Sequence, residues 1–152
     1  MIEYRWCNGE VPENIKIKQV YGIAFNADGN IFLRIDDGIY KLTGGKPEKK
    51  DKSIEDTLKR EFIEESNIVI KNIHLLGYQL VNENNGIKQY AQVRMIAQID
   101  KINDNRPDLD NGKLYERVFK SPKETISLLN WGEVGKKQIE EAVKLAKKYY
   151  FK

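Results

Sequence analysis

A chain of 152 residues with 40% apolar and 32% charged residues reads as one soluble, globular domain over residues 1–152, long enough to bury a core. The formal net charge is only +3, no stretch is apolar enough for a membrane span, and the start Met-Ile-Glu-Tyr-Arg-Trp has no secretory-signal pattern. One cysteine, Cys7, excludes an internal disulfide and fits a reducing, cytoplasmic setting.

Residues 1–15, with Gly9 and Pro12, read as an irregular lead-in. Ile17 to Phe25 reads as a strand of branched and small residues, and Asn26-Ala27-Asp28-Gly29 as a hairpin turn. Ile31 to Ile35 is the return strand, and Asp36-Asp37-Gly38 turns the chain into a short strand from Ile39 to Leu42. A Gly44-Gly45 turn leads to Ser53, which makes a capping box with Asp56, so a helix is predicted from Ile54 to Ser66. Val69 to Val81 follows as one bent strand or two short ones broken near Gly77, then a turn over Asn82 to Gly86. Gln89 to Ile99 is a long strand with Ala91, Val93, Met95 and Ala97 on one face. Beyond a polar loop over residues 100–113, Leu114 to Phe119 is a strand. Ser121-Pro122-Lys123-Glu124 is a second capping box that opens a helix to about Leu129. Gly135 precedes a final helix with Ile139, Ala142, Val143 and Ala146 at helical spacing.

The lysines from Lys136 to Lys152 read as the solvated face of that helix, and Tyr149, Tyr150 and Phe151 as aromatics that dock the terminus. No basic stripe with interleaved aromatics points to nucleic acid. Cys7 reads as a small buried or half-buried residue. His74 has no second His or Cys nearby with which to hold zinc.

The chemistry lies in Arg60-Glu61-Phe62-Ile63-Glu64-Glu65. Glu61, Glu64 and Glu65 stand at i, i+3 and i+4, so their carboxylates share one helical arc. Ile54, Leu58 and Phe62 form the stripe that packs inward; Glu65 falls within its arc, Glu61 at its edge and Glu64 one step further out. Acids bordering a packed face need partners. Arg60 alone cannot neutralise three of them, and clustered carboxylate oxygens suit Mg²⁺ or Mn²⁺.

From Gly45 to Ile68 the segment resembles the Nudix box: a glycine, a five-residue spacer, a glutamate, a seven-residue spacer, then Arg-Glu, an apolar residue, any residue, Glu-Glu, any residue, Gly and an apolar residue. Gly45, Arg60, Glu61, Glu64 and Glu65 match its leading glycine and core, and Phe62 and Ile68 fill the apolar slots. In two places the chain departs from it. The first glutamate is Asp51, with one extra residue before Arg60, and the late glycine is Asn67, the next-best residue for a left-handed helix end.

The resemblance implies an α/β fold, a Nudix-type α/β/α sandwich with a mixed sheet and a central catalytic helix. It also implies metal-dependent hydrolysis of a diphosphate bond in a nucleoside diphosphate linked to another group. Glu64 and Glu65 would be metal ligands, joined by the Gly45 carbonyl, while Glu61 binds metal or deprotonates water. Arg60 would orient a glutamate. Arg34 and Arg94 are candidates for substrate phosphate, the latter if it points to the cleft, and Tyr40 for stacking on a base. Glu116 is the candidate for an extra acid after the polar loop, with Asp108 and Asp110 competing within it. The expected partner is a small nucleotide, not a membrane or a nucleic acid, and a homodimer is compatible with this reading. The alternative is a nucleotide-binding Nudix module without catalysis.

Overall fold

In the computed structural model, which describes residues 1–151, the chain runs β1 (Glu3–Asn8), β2 (Lys16–Phe25), β3 (Ile31–Asp36), β4 (Ile39–Lys41), β5 (Thr43–Gly45), α1 (Ile54–Ser66), β6 (Ile68–Glu83), β7 (Lys88–Ile102), β8 (Glu116–Lys120), α2 (Pro122–Leu129) and α3 (Gly132–Tyr149). One mixed sheet has the order β1-β6-β7-β2-β3-β4, with β5 added to β2 and β8 to β3. β2 and β7 run parallel, and the other pairs are antiparallel.

Alternation along the central strands sends side chains to two cores. Val20, Ala24, Val93, Met95 and Ala97 pack with Leu58 and Phe62 of α1. Ile23, Phe25 and Ile96 point the other way and pack with Leu129 of α2 and Ile139, Ala142 and Ala146 of α3. The result is the expected α/β/α sandwich. Leu58 and Phe62 are fully buried, which stabilises the fold by about 1.5–3 kcal/mol each and fixes which arc of α1 faces the sheet.

Local chemistry explains the boundaries. Ser53 Oγ accepts the Asp56 N–H at 3.1 Å, and Asn67 ends α1 in the left-handed region at φ 52°. The box at Ser53 is only half formed, because the Asp56 carboxylate takes the Lys52 N–H at 3.2 Å instead of reaching back to Ser53. The box at Ser121 is complete. Asp37 and Gly38 both have positive φ, as a two-residue hairpin requires.

Three expectations are corrected. Part of the lead-in is the edge strand β1, paired with β6 from Glu3↔Asn82 to Asn8↔Gly77. The glycine turn is itself a strand, β5, paired with β2. Helix α3 begins at Gly132, so Gly135 lies inside it; a Cβ there would stand 2.4 Å from the Trp131 Cβ, so close packing against Trp131 explains the glycine. At the C-terminus, Tyr150 donates its hydroxyl to the Asn72 carbonyl and Phe151 meets Phe25 edge-on, which docks the tail.

Candidate active site

The carboxylates of α1 are held where the helix passes β5. Glu65 is 7% exposed; its Oε1 accepts the Gly44 N–H at 3.0 Å. Its Oε2 lies 2.9 Å from Arg34 Nε. That contact is an ion pair without hydrogen-bond alignment, since Arg34 Nε has no hydrogen-bond partner. The Arg34 guanidinium rests over the Tyr115 ring, 4.5 Å from its centre. Glu61 lies against Gly45, where an added Cβ would come 2.6 Å from its carboxylate.

Arg60 is the hub of the site. Its Nε and Nη2 donate to the two oxygens of Asp51, both at 3.0 Å, while Nη1 meets Glu61 at 2.8 Å and Glu64 at 3.2 Å. Asp51 also accepts from Thr57 Oγ1 and the Glu48 N–H, both at 2.9 Å. The aspartate in the box's first acid position is therefore the residue that orients the box arginine, and the extra loop residue leaves that fork intact.

Electrostatics follow from burial. Burial pushes the Glu61 carboxyl up to about 7 against the pull of Arg60. Burial pushes Glu65 to about 8, opposed by Arg34 and reinforced by the Glu61 charge. Asp51 is held well below the usual carboxylate range by its hydrogen bonds from Arg60.

The polar loop is clamped to α1 by the Leu109 N–H on the Glu64 carbonyl at 3.1 Å. It brings up Asp108, which is 5% exposed and whose charge raises both Glu61 and Glu65. Glu116 stands exposed at the start of β8 opposite Ile35, and Asp110 is exposed on the loop. The loop acid beside the arc is thus Asp108. Tyr40 packs into the core under α2 and α3.

The donor set fits Mg²⁺ or Mn²⁺ in kind: carboxylates of Glu61, Glu64 and Glu65, and the Gly45 carbonyl on the bare strand beside Glu61. Burial raises the Glu61 and Glu65 carboxyls, so a bound cation would offset the cost of holding their charge there. In this arrangement Arg60 draws Glu61 and Glu64 one way while Gly44 and Arg34 hold Glu65 another. Among the described residues no three acids, histidines or cysteines enclose a common point. Gathering the set around an ion requires Glu61 and Glu64 to turn off Arg60.

Two outcomes are expected. Burial raises Glu61 to about 7 and Glu65 to about 8, above the ordinary carboxylate value of 4.5 that the unfolded chain retains. Between those values the folded chain keeps protons that the unfolded chain has released, so their contribution to stability falls as pH rises from about 4.5 to 8. Thermal melts of metal-free protein across that range should show the fall, and a Glu61→Gln/Glu65→Gln double variant should flatten it; parallel profiles would contradict the assignment. Gly45→Ala places a methyl against the Glu61 carboxylate, which can swing aside. Turnover should drop roughly tenfold or more with little change in melting temperature, because a displaced reactive group costs rate before it costs stability.

A cavity of about 610 Å³ opens beside this centre on the α3 side of the sheet. Arg34 lines it and also touches Glu65, joining cavity to carboxylates. Lys41, Arg94, Tyr21 and Trp131 line it too, and no carboxylate does. Arg94 is 4% exposed, with its guanidinium 5.0 Å from the Tyr21 ring centre and 5.4 Å from that of Trp131. Desolvation lowers its pKa to about 10, which still leaves it charged at neutral pH. Arg94 therefore points into the cleft, whereas Tyr40 is not among the lining residues; the aromatic walls are Tyr21 and Trp131.

No family model matches the chain, and no curated protein matches its sequence. Solved structures do. The pyrophosphohydrolase BsRppH of Bacillus subtilis, as a point mutant, matches with a TM-score of 0.74 at 19% identity, over 98% of this chain and 93% of that one. A MutT protein from Bacillus halodurans matches at 0.64 and 20% identity over 83% and 81% of the two chains. A Nudix hydrolase from Nitrosomonas europaea matches at 0.61 and 20% identity over 83% and 87%. The likeness spans most of each chain and shows that this protein has the Nudix fold.

Proposed function

We propose that this chain is a metal-dependent pyrophosphohydrolase that cleaves a phosphoanhydride in a nucleoside diphosphate linked to another group. The observation that carries the reading is the junction at Arg34: one guanidinium touches the buried Glu65 of the carboxylate arc and lines a cation-rich, carboxylate-free cavity of about 610 Å³. That volume is typical of small-molecule sites. The structural likeness to a pyrophosphohydrolase and to MutT supports the same reaction class.

A diphosphate repels an attacking oxygen nucleophile. A bound Mg²⁺ or Mn²⁺ supplies neutralisation of that charge and acidifies a water. Glu64, Glu65 and the Gly45 carbonyl would hold the ion. Glu61 joins them or takes the proton of the attacking water, a task suited to a carboxyl raised to about 7. Arg34 holds a phosphate oxygen from its perch on Tyr115. Tyr21 and Trp131 wall the nucleoside. The lone Cys7 fits a cytoplasmic setting, and among the described residues no helix is long and apolar enough to cross a membrane.

The test is phosphate and pyrophosphate release from a panel of nucleoside triphosphates, nucleotide sugars and dinucleotides, with Mg²⁺ or Mn²⁺ and with chelator. Cleavage of one class that chelator abolishes is the expected result. A second reading, nucleotide binding without hydrolysis, draws on the ion pairs of Arg60 with Glu61 and Glu64. A ligand that raises the melting temperature without turnover would favour it.

A further inference from the structure

We propose that Arg94, held by a chain of glutamine amides, reads the base of the bound nucleotide and selects a 6-oxopurine over adenine. The inference rests on the cavity being the nucleotide site.

Gln19, Gln92 and Gln79 face one another across β2, β7 and β6, in register Gln19↔Gln92 and Gln92↔Gln79. Gln138 descends from α3 with no exposed surface. A guanidinium has no acceptor, so Gln138 can meet Arg94 Nε only through its Oε1, here at 3.1 Å. That one constraint polarises the whole row. Gln138 Nε2 donates to Gln79 at 3.2 Å, Gln79 Nε2 to Gln92 at 2.9 Å, and Gln92 Nε2 to Gln19 at 2.6 Å.

The amide oxygens of Gln79 and Gln92 each accept one bond from a neighbour and each amide nitrogen keeps a second N–H, so the amides are balanced and the excess of donors comes from Arg94. Arg94 Nη1 makes one long bond, 3.4 Å to the Gln92 carbonyl, and Nη2 makes none. Among the described residues Arg94 has no carboxylate partner, and none lines the cavity. A nine-tenths-buried cation without a counter-charge is costly unless a ligand completes its hydrogen bonds.

The floor is thus donor-rich. An oxopurine offers adjacent acceptors at O6 and N7, which a guanidinium meets with two parallel bonds, whereas adenine places an N–H donor at the corresponding position. Tyr21 and Trp131, which line the same cavity, supply apolar ring surface beside the guanidinium.

The test is calorimetric titration of the metal-free, full-length chain with GMP, IMP and AMP. GMP and IMP, which share O6 and N7, should bind about tenfold or more tighter than AMP. Arg94→Met should bring the three within about twofold, mainly by weakening GMP and IMP. Equal affinities in the wild type, or an equal loss for all three in Arg94→Met, as a phosphate-binding role requires, would overturn the proposal. So would a GMP preference that IMP does not share. If Arg94→Met does not fold, Gln138→Leu removes the anchor and keeps the cation, and an undiminished preference there overturns it. No turnover or metal enters, so absent hydrolysis leaves the result standing, and hydrolysis without base preference contradicts this proposal alone.

Discussion

Glu64→Gln and Glu65→Gln are each expected to lower metal-dependent cleavage by at least about 100-fold, the scale of losing one group that stabilises developing charge at a reaction centre. Their stability should respond differently from their rate. Glu65 is buried, and burial raises its carboxyl to about 8, so in the metal-free protein glutamine replaces a side chain whose charge the fold already disfavours. The glutamine oxygen can keep the Gly44 N–H, while its amide, a donor like Arg34, turns away from the guanidinium. The metal-free variant should melt within a few degrees of the wild type. What it should lose is the rise in melting temperature on adding Mg²⁺, because an ion that binds only the folded state stabilises it by mass action. Full activity in either variant, assayed with Mg²⁺ and matched chelator controls, would remove that residue from the metal site.

Asp51→Ala should produce the largest loss of stability near the site. It removes both hydrogen bonds to the Arg60 fork, the shorter of the Thr57 hydroxyl's two contacts and the acceptor for the Glu48 N–H. The carboxylate is 6% exposed and the guanidinium 12%, so this pair is not a surface ion pair. A loss of about 2–3 kcal/mol follows from breaking a half-buried charge-assisted fork together with the Thr57 and Glu48 bonds. For a domain of this size that lowers the melting temperature by about 5–10 °C. The pH dependence has the opposite sense to that of Glu61 and Glu65. Asp51 is depressed in the fold, so its stabilisation is present above the ordinary value of 3.8 and lost as pH falls below it; the variant's deficit should shrink in acid. Arg60, freed from Asp51, should bind Glu61 and Glu64 more tightly and compete with the metal, raising the Mg²⁺ needed for half-maximal rate by roughly 10–100-fold. A drop below about 2 °C by calorimetry would mean the pair behaves as an exposed one.

The helices were legible because their ends carry local chemistry. Ser53 and Asn67 bracket α1, and Ser121 and Pro122 open α2, each through bonds made within a few residues. The carboxylate arc was legible for the same reason, since helical spacing alone sets Glu61, Glu64 and Glu65. What could not be read depends on pairing at long range. β1 is a strand only because Glu3 to Asn8 meet Asn82 to Gly77. β5 exists because Thr43, Gly44 and Gly45 meet Gly22, Tyr21 and Val20. Loop geometry places the acids: Asp108 is brought toward the arc by the Leu109–Glu64 backbone bond while Glu116 and Asp110 stand exposed, which no spacing rule reveals. Gln138 did leave a signal, a polar residue on the α3 stripe of Ile139, Ala142 and Ala146. Its meaning emerges only when β7 brings Arg94 beneath it.

The most direct test of the carboxylate arc as a metal centre is Mn²⁺ binding, followed by electron paramagnetic resonance, to the wild type and to a Glu64→Gln/Glu65→Gln double variant, each with a non-hydrolysable nucleotide analogue. The wild type should take up the ion and the double variant should bind it at least roughly tenfold more weakly, since each loses a charged ligand. Equal binding by both proteins would place the metal elsewhere and contradict the account.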